Sequence, residues 1–337
     1  MSIIRQFPIN IKVWQYMDDD EISDFVKFIF NHYRYNGFPY YNTTIKNQLI
    51  QLQKMDKYFK SKPVIIEDKI KQTMHCLATA WTYFPHAWDI KCNNMKTPME
   101  LFENDELFQK VIRKRLKRGT YISDSGIRKI LKTYTGSQGV SNFRPSAARA
   151  IYDHFLTEPS VVWDMSSGFG GRLLGAISSP MVKKYIGTDP SADTYNGLIK
   201  MAENLKTEDM SIEINNLGSE NYKPEPDSLD LCFTSPPYFN TEKYSNDSDQ
   251  SYIKYPDKDS WMNGFLKTTV ENCYRGLKEG GYLIINIANV KSYPDLEKDF
   301  MNMMENTSFK YMKTLKLSLS SINKTGFKYE PVFVFIK

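Results

Sequence analysis

The segment Ser235-Pro236-Pro237-Tyr238 has residue types that could hold an amino group on a flat ring. Two consecutive prolines form a rigid, extended turn without amide donors, so the carbonyl groups of this turn only accept hydrogen bonds. The serine hydroxyl before them and the tyrosine ring after them complete a pocket for such a ring. The alternative is a rigid loop that happens to precede a tyrosine. Because the segment follows an apolar run at 229–233, we favour the pocket.

A glycine-rich turn follows another apolar run and reads Asp164-Met165-Ser166-Ser167-Gly168-Phe169-Gly170-Gly171. Glycines let backbone amides approach a ligand closely, and the start of the following helix favours a carboxylate or phosphate. A tight turn without a ligand would have the same pattern. Asp189 follows the next apolar run, at the place where a carboxylate would hold a ribose diol. The ligand would be a dinucleotide or S-adenosylmethionine, and the absence of full Gly-x-Gly-x-x-Gly spacing weighs against a dinucleotide.

Short apolar runs alternate with helical stretches through the second part of the chain. These runs lie at 161–163, 185–187, 212–214, 229–233, 282–287, 311–317 and 331–336. The alternation predicts a largely parallel sheet with helices on both faces, and ligands bind at the carboxyl ends of such strands. Ser219 and Glu220, which follow the third run, are candidates for the adenine edge of the ligand or for a purely structural role.

The first part of the chain is predicted to be mainly helical. Apolar spacing predicts helices at 21–33, 41–59 and 98–117. Four aromatic residues predict the core of a small helical domain, with a platform for stacked bases as the alternative, and they are Trp81, Tyr83, Phe84 and Trp88. A glycine-containing loop at 135–139 divides the chain into a helical domain, 1–135, and a second domain, 136–337.

Basic residues are concentrated between positions 110 and 132, where nine Lys or Arg face one acid. Such a cluster could neutralise several backbone phosphates, and the alternative is an ordinary solvated helix face. The candidate nucleic-acid contacts are Arg113, Lys114, Arg115, Lys117, Arg118, Arg128, Lys129 and Lys132.

The composition excludes several classes of protein. With 337 residues, 41% hydrophobic and 25% charged, the chain is typical of globular proteins, and no apolar run approaches membrane-spanning length. Four cysteines without Cys-x-x-Cys spacing and four histidines without ligand spacing predict no metal site and a reducing cytoplasm. The first residues lack the apolar core of a secretory signal.

The motifs resemble those of the S-adenosylmethionine-dependent amino-methyltransferases of DNA, which methylate cytosine N4 or adenine N6. The catalytic signature of this family is Asp, Asn or Ser followed by Pro-Pro and an aromatic residue. Residues 235–238 match it at every position, and the serine form is typical of cytosine-N4 members. The cofactor signature, Asp-Pro-Phe-x-Gly-x-Gly, is matched by Asp164, Gly168 and Gly170, while Met165 and Ser166 replace Pro and Phe.

The resemblance covers residues 140–337 and implies a Rossmann-like class I methyltransferase fold, an α/β fold with a mostly parallel seven-stranded sheet and an antiparallel last strand. S-adenosyl-L-methionine would be the cofactor, with Asp189 on its ribose. The residues implied around its methionine part are Phe143, Arg144, Pro145, Asp164, Ser166, Gly168 and Gly170. The resemblance implies no metal.

The implied substrate is DNA, either double-stranded with the target base flipped out or single-stranded. Ser235 and the Pro236 carbonyl would accept hydrogen bonds from the target amine, and Tyr238 would stack on the base. The helical domain would recognise DNA, and the polar loop at 241–258 would border the target base and become ordered on DNA binding. Three alternatives remain open: an adenine-N6 enzyme, an RNA amino-methyltransferase, and a catalytically silent nucleic-acid-binding protein.

Overall fold

The computed structural model describes residues 13, 16–61, 64–118, 122–322 and 326–337. These residues form two compact units. The helical unit contains the described residues up to Asn42 together with Pro85–Ser141, and the sheet unit contains Thr43–Phe84 and Asn142–Lys337.

Helices occur in both units, and none of those described is long and apolar enough to cross a lipid bilayer. They are α1 (Asp19–Asn36), α2 (Ile45–Ser61), α3 (Leu77–Trp81), α4 (Pro98–Glu103), α5 (Asp105–Lys117), α6 (Asp124–Thr133), α7 (Pro145–Phe155), α8 (Gly171–Ser178), α9 (Ala192–Leu205), α10 (Ser251–Lys254), α11 (Lys258–Ser260), α12 (Thr268–Gly276) and α13 (Leu296–Glu305), with a 3-10 turn at Pro85–Trp88 and a π-helical segment at Trp261–Lys267.

The strands are concentrated in the sheet unit. They are β1 (Ile65–Ile66), β2 (Lys69–Ile70), β3 (Lys91–Cys92), β4 (Ser160–Asp164), β5 (Val182–Thr188), β6 (Ser211–Asn215), β7 (Leu229–Thr234), β8 (Glu242–Lys243), β9 (Leu277–Asn286), β10 (Lys310–Ile322) and β11 (Gly326–Ile336).

In the helical unit, side-chain caps determine where the helices begin. Asp18 and Glu21 form a reciprocal capping box at the start of α1, with the Glu21 amide 2.8 Å from Asp18 Oδ1. A second capping box opens α4. The helix predicted at 98–117 is in fact two helices, because Asn104 has an extended backbone and its side chain caps α5. The other two predicted helices correspond to α1 and α2.

The main sheet has the strand order β1-β2-β10-β11-β9-β7-β4-β5-β6. The five strands from β9 to β6 are parallel to one another, whereas β11 is antiparallel to both β9 and β10. The seven strands from β10 to β6 therefore confirm the predicted fold, a mostly parallel sheet with an antiparallel last strand. The hairpin of β1 and β2 extends the sheet beside β10.

Residues 43–84 belong to the sheet unit, which differs from the predicted helical domain of 1–135. Helix α2 is tied to α7 by an ion pair in which Arg149 Nη2 lies 3.0 Å from Asp56 Oδ1. Phe84 packs against α9 so closely that a Cβ on Gly197 would lie 2.5 Å from its ring. The four aromatic residues singled out from the sequence are consequently divided between the two units. Trp81, Tyr83 and Phe84 belong to the sheet unit, whereas Trp88 is part of the core of the helical unit.

Candidate active site

Asp164 ends β4 and is the centre of a buried hydrogen-bond network. One carboxylate oxygen accepts from the Arg172 guanidinium at 2.8 Å and from the Tyr185 hydroxyl at 2.7 Å. The other oxygen accepts from the Thr234 hydroxyl at 3.1 Å and from the Ser166 amide at 3.3 Å. These contacts use the acceptor positions of the carboxylate. Asp164 thereby links the end of β4 to the middle of β5 and to the end of β7.

The network changes the role that the resemblance implied for Asp164. The residue is 1% exposed, and its carboxylate is paired with a buried arginine instead of facing a ligand. Arg172 also donates to the Ser166 carbonyl, so this cation fixes both the aspartate and the turn that follows it. Asp164 and Arg172 thus shape the turn from inside the protein.

The glycine-rich turn requires glycine at several positions. Gly168 and Gly170 have φ values of +53° and +68°, which side chains rarely adopt. A Cβ on Gly170 would lie 2.5 Å from the Met201 side chain, and a Cβ on Gly171 would lie 1.9 Å from the Phe143 carbonyl oxygen. The backbone of this turn is therefore held in one narrow conformation at the carboxyl edge of the sheet.

Residues 142–145 lie against the glycine-rich turn, and their contact with the methionine part of a cofactor stays a prediction. The Asn142 side chain donates to the Phe169 carbonyl at 2.8 Å. The Phe143 ring meets the Phe233 ring edge-on at 5.3 Å. Pro145 opens α7. The Arg144 side chain is directed to residues 43–84, where it donates to Gln72 at 3.2 Å.

Asp189 is partly buried directly after β5, and its carboxylate is oriented by two backbone amides. The Gly168 amide donates to Oδ2 at 2.9 Å and the Ser191 amide donates to Oδ1 at 3.0 Å. Burial raises the pKa of this carboxyl to about 6, although the two amides favour the ionised form. The glycine-rich turn and Asp189 are therefore joined directly, and each carboxylate oxygen retains acceptor capacity for a ligand hydroxyl.

Ser219 and Glu220 follow β6 and are buried, with 1% and 6% of their surface exposed. The Ser219 hydroxyl shares a 2.8 Å hydrogen bond with Thr269. The Glu220 carboxylate accepts from Lys254 at 2.8 Å. Both side chains therefore have protein partners, and the role predicted for this pair at the adenine edge stays a prediction.

The Ser-Pro-Pro-Tyr segment begins immediately after β7. Because Thr234 donates to Asp164, the last residue of β7 is bonded to the last residue of β4, and Ser235 emerges beside the glycine-rich turn. The Tyr238 hydroxyl donates to the main-chain oxygen and to Oδ1 of Asn286, both at 3.3 Å. Phe239 has a φ of +55° and a buried ring, so it ends the turn in a left-handed conformation.

The loop that follows the segment is anchored at several points. Tyr244 meets the Phe169 ring at 6.2 Å, and Trp261 donates to Ser251 at 3.3 Å. The ion pair of Lys254 with Glu220 ties α10 to the segment that follows β6. The predicted ordering of this loop by DNA stays a prediction.

The basic cluster of the helical unit falls into two sets. The members of the first set have partners within the unit. Arg113 donates to Ser23 and Lys114 to Thr135, while Arg128 and Lys132 donate to the carbonyl groups of Pro39 and Val140. Arg115 is partly buried and packs against Gly126. Arg128 is only 8% exposed and stacks on Tyr41, so it is unsuited to phosphate binding. The second set is exposed and consists of Lys117, Arg118 and Lys129, together with Lys110, which forms an ion pair with Glu106.

Several residues of the site were not singled out from the sequence. Arg172, Tyr185 and Thr234 complete the Asp164 network, and they look like ordinary helix or strand residues in the sequence. Asn286 is different, because it is the polar residue that ends β9. The carboxyl-end rule that selected Asp164 and Asp189 also applies to it. Within the described ranges, no cluster of His, Cys, Asp or Glu is arranged to hold a metal ion.

Comparisons with known proteins find similar folds. No family model matches the chain, and no curated protein matches it. Solved structures similar to the chain include 1,6-didemethyltoxoflavin-N1-methyltransferase of Burkholderia thailandensis with bound 1,6-didemethyltoxoflavin and S-adenosylhomocysteine, at 12% identity over 56% of this chain and 76% of that one, with a TM-score of 0.39.

Two further structures have comparable similarity. One is an S-adenosylmethionine-dependent methyltransferase of Methanosarcina mazei, at 13% identity over 56% of this chain and 96% of that one, with a TM-score of 0.38. The other is an rRNA methylase of Streptococcus thermophilus, at 15% identity over 58% and 99%, with a TM-score of 0.37. The assignment of this chain to the class I methyltransferase fold rests on its own strand order and directions.

Proposed function

We propose that this chain is an S-adenosylmethionine-dependent methyltransferase that methylates an exocyclic amine of a base in DNA, with cytosine N4 favoured. One observation carries the proposal: the Ser-Pro-Pro-Tyr segment and the glycine-rich turn meet at one sheet edge through the bond from Thr234 to Asp164. A ligand on the glycine-rich turn and an amine bound at Ser235 would therefore lie next to each other at this edge, so a group could pass directly from one to the other.

The residues at the turn fit S-adenosylmethionine. Asp189 keeps free acceptor positions and is held by the Gly168 amide, so it would bind the ribose hydroxyls. Phe143 and the glycine backbone would enclose the methionine part. When bound, this cofactor supplies an electrophilic methyl group. Asp164 would contribute indirectly, by holding the turn in place.

Ser235 and Pro236 would activate the amine. An exocyclic amine of cytosine or adenine is a poor nucleophile, because its lone pair is delocalised into the ring. Hydrogen bonds from its two N–H groups to Ser235 Oγ and to the Pro236 carbonyl would favour a more pyramidal nitrogen with an available lone pair. Alignment of the reactants can lower the barrier by roughly 7–11 kcal/mol. Stacking on Tyr238 would contribute about 1–3 kcal/mol to base binding.

Nucleic acid is favoured over a small molecule because the helical unit has exposed cations. Lys117, Arg118 and Lys129 are solvent-exposed, and exposed cations of this kind can contact backbone phosphates. A base within a duplex cannot reach the sheet edge, so the enzyme would flip the base or act on single strands. We favour DNA over RNA because the Ser-Pro-Pro-Tyr motif resembles the catalytic signature of the DNA amino-methyltransferases.

The test is methyl transfer from labelled S-adenosylmethionine to unmodified DNA, followed by mass spectrometry of the nucleosides. N4-methylcytosine that disappears with both Ser235→Ala and Tyr238→Ala would support the proposal. If N6-methyladenine forms instead, the proposed mechanism stands and the target base is adenine. Transfer to RNA but not to matched DNA would change the substrate class. The absence of cofactor binding by calorimetry would refute methyl transfer altogether and favour a silent nucleic-acid-binding protein.

A further inference from the structure

The hydrogen-bond partners of the Tyr238 hydroxyl determine the direction of its proton. The hydroxyl oxygen lies 3.3 Å from the main-chain oxygen of Asn286 and 3.3 Å from Asn286 Oδ1. A main-chain oxygen only accepts. The Asn286 side-chain amide donates to the Pro331 carbonyl at 2.9 Å, so its nitrogen faces Pro331 and its oxygen faces Tyr238. The Tyr238 hydroxyl therefore donates to Asn286.

The same arrangement determines the direction of the Ser235 hydroxyl. Ser235 Oγ lies 3.5 Å from the hydroxyl oxygen of Tyr238. Because the single proton of that hydroxyl is directed to Asn286, only its lone pairs remain for Ser235, and Ser235 is the donor. A serine hydroxyl has one proton and two lone pairs. Once its proton is directed to Tyr238, Ser235 Oγ presents only lone pairs to a ligand.

Asn286 is held firmly enough to maintain this arrangement. It ends β9 and is 2% exposed. It is paired with Val332 of β11. On the other side of β9, the preceding residue, Ile285, is paired with Thr234, which directly precedes Ser235. The two acceptors of the Tyr238 hydroxyl thus belong to a central strand of the sheet, where the backbone pairing on both sides fixes their positions.

Two fixed acceptors at the proposed amine site would distinguish amino bases from keto bases. Ser235 Oγ and the Pro236 carbonyl would each accept one N–H of an exocyclic amine. Uracil and hypoxanthine have a carbonyl oxygen where cytosine and adenine have the amine, and that oxygen would face two acceptors without a proton. A site built around a particular hydrogen bond rejects an analogue that cannot form it. A serine hydroxyl that is free to rotate would donate to the keto oxygen and weaken the distinction.

We propose that the Tyr238 hydroxyl, positioned by Asn286, makes the site selective for bases with an exocyclic amine over bases with a carbonyl at the same place, by holding Ser235 as a hydrogen-bond acceptor. This inference rests on the proposed function. It gives the Tyr238 hydroxyl a role separate from stacking, which needs only the ring. A phenylalanine at position 238 would keep the ring and release the Ser235 proton.

The test compares the binding of amino and keto bases and needs no methyl transfer. Fluorescence anisotropy measures the affinity for single-stranded oligonucleotides of deoxycytidine against deoxyuridine, and of deoxyadenosine against deoxyinosine, with S-adenosylhomocysteine present. The wild type should prefer the amino member of a pair. Tyr238→Phe should bind the keto member more tightly and reduce the preference about tenfold, which corresponds to one hydrogen bond. The control Tyr293→Phe, which removes a hydroxyl bonded to Asp299 at 2.8 Å, should keep the wild-type preference.

Ser235→Asp separates the hydrogen-bond effect from a general disturbance of the site. A carboxylate accepts whichever way the Tyr238 proton points. In the Ser235→Asp background, Tyr238→Phe should therefore leave the amino preference unchanged. A structural defect caused by Tyr238→Phe would instead lower the affinity for both bases, and it would do so in both backgrounds. An equal loss of preference in the two backgrounds would overturn the inference.

Two substitutions test the positioning role of Asn286. Asn286→Asp keeps a side-chain oxygen that accepts from Tyr238 and should keep the amino preference. Asn286→Leu leaves the Tyr238 hydroxyl only the main-chain oxygen, and it should reduce the preference by a smaller factor than Tyr238→Phe does. The wild-type preference in Asn286→Leu would refute the role of this side chain.

Methyl-transfer assays of the same proteins separate the selectivity from the function on which it rests. If the wild type prefers neither amino base and transfers no methyl group to nucleic acid, the proposed function fails and the selectivity fails with it. If the wild type methylates an exocyclic amine but Tyr238→Phe retains the wild-type preference, the role of the Tyr238 hydroxyl is wrong and the proposed function stands.

Discussion

At the scale of single residues, the two aspartates at the carboxyl ends of the neighbouring strands β4 and β5 have separate roles. Asp164 is enclosed and bonded to four protein donors. Asp189 is held by two amides and keeps acceptor capacity toward the sheet edge. One residue therefore builds the turn, and the other is available to a ligand. Their substitution should affect different quantities.

Asp164→Asn should destabilise the fold. The substitution leaves the buried guanidinium of Arg172 without its anionic partner, and loss of one member of a buried pair costs about 3–5 kcal/mol. Urea denaturation measures this directly. A variant with the stability of the wild type and no cofactor binding would show instead that Asp164 is a direct ligand.

Asp189→Ala should lower cofactor affinity and change stability much less than Asp164→Asn does. Charged hydrogen bonds to the ribose contribute about 1.5–3 kcal/mol, which corresponds to roughly ten- to hundred-fold in affinity. Isothermal calorimetry with S-adenosylmethionine measures the change. Normal affinity in this variant would mean that the ribose is held elsewhere.

Cofactor affinity should also depend on pH through Asp189. Burial raises the pKa of this carboxyl from 3.8 to about 6, so its contribution to the stability of the cofactor-free protein is complete below pH 3.8 and is lost as the pH rises through about 6. Cofactor binding has the opposite dependence, because the ionised form accepts the stronger hydrogen bonds. Affinity should fall as the pH drops below about 6, and Asp189→Asn should have a much flatter profile by calorimetry.

At the scale of the elements, residues 142–145 lie against the start of α8 and hold the glycine-rich turn, to which we assign the cofactor in the proposed function. Gly171→Ala should lower cofactor affinity, since its Cβ would lie 1.9 Å from the Phe143 carbonyl and the turn would have to open. Gly280→Ala is a suitable control, because Gly280 also has a positive φ, +79°, but has open space around it. The control should lose about 1–2 kcal/mol of stability and keep cofactor affinity. If both variants bind the cofactor with equal affinity, the close approach of Gly171 to Phe143 does not contribute to cofactor binding.

Much of the sheet could be predicted from the sequence, because each central strand is a short apolar run bounded by turn residues. The carboxyl-end rule then brought Asp189 and Ser235 to one edge. The placement of residues 43–84 could not be predicted, since aromatic density indicates burial without indicating which unit supplies the partners.

At the scale of the whole molecule, net charge says less about nucleic-acid binding than the exposure of individual cations does. The chain has a formal charge of +5, yet most of the basic cluster is engaged within the helical unit. Arg128 donates to a backbone carbonyl and stacks on a tyrosine. Only the exposed members can release counterions from a phosphate backbone on binding.

Substitution of Lys117, Arg118 and Lys129 by alanine should therefore weaken DNA binding, by a similar factor for different sequences. If each contacts one phosphate, the dependence of log K on log salt should become shallower by about 2.7. Fluorescence anisotropy across a salt series measures both effects. The matched control removes three exposed lysines of α2, Lys46, Lys54 and Lys57. Equal losses in the two triple variants would indicate a general charge effect, and an unchanged salt slope in the first would place the phosphate contacts outside the cluster.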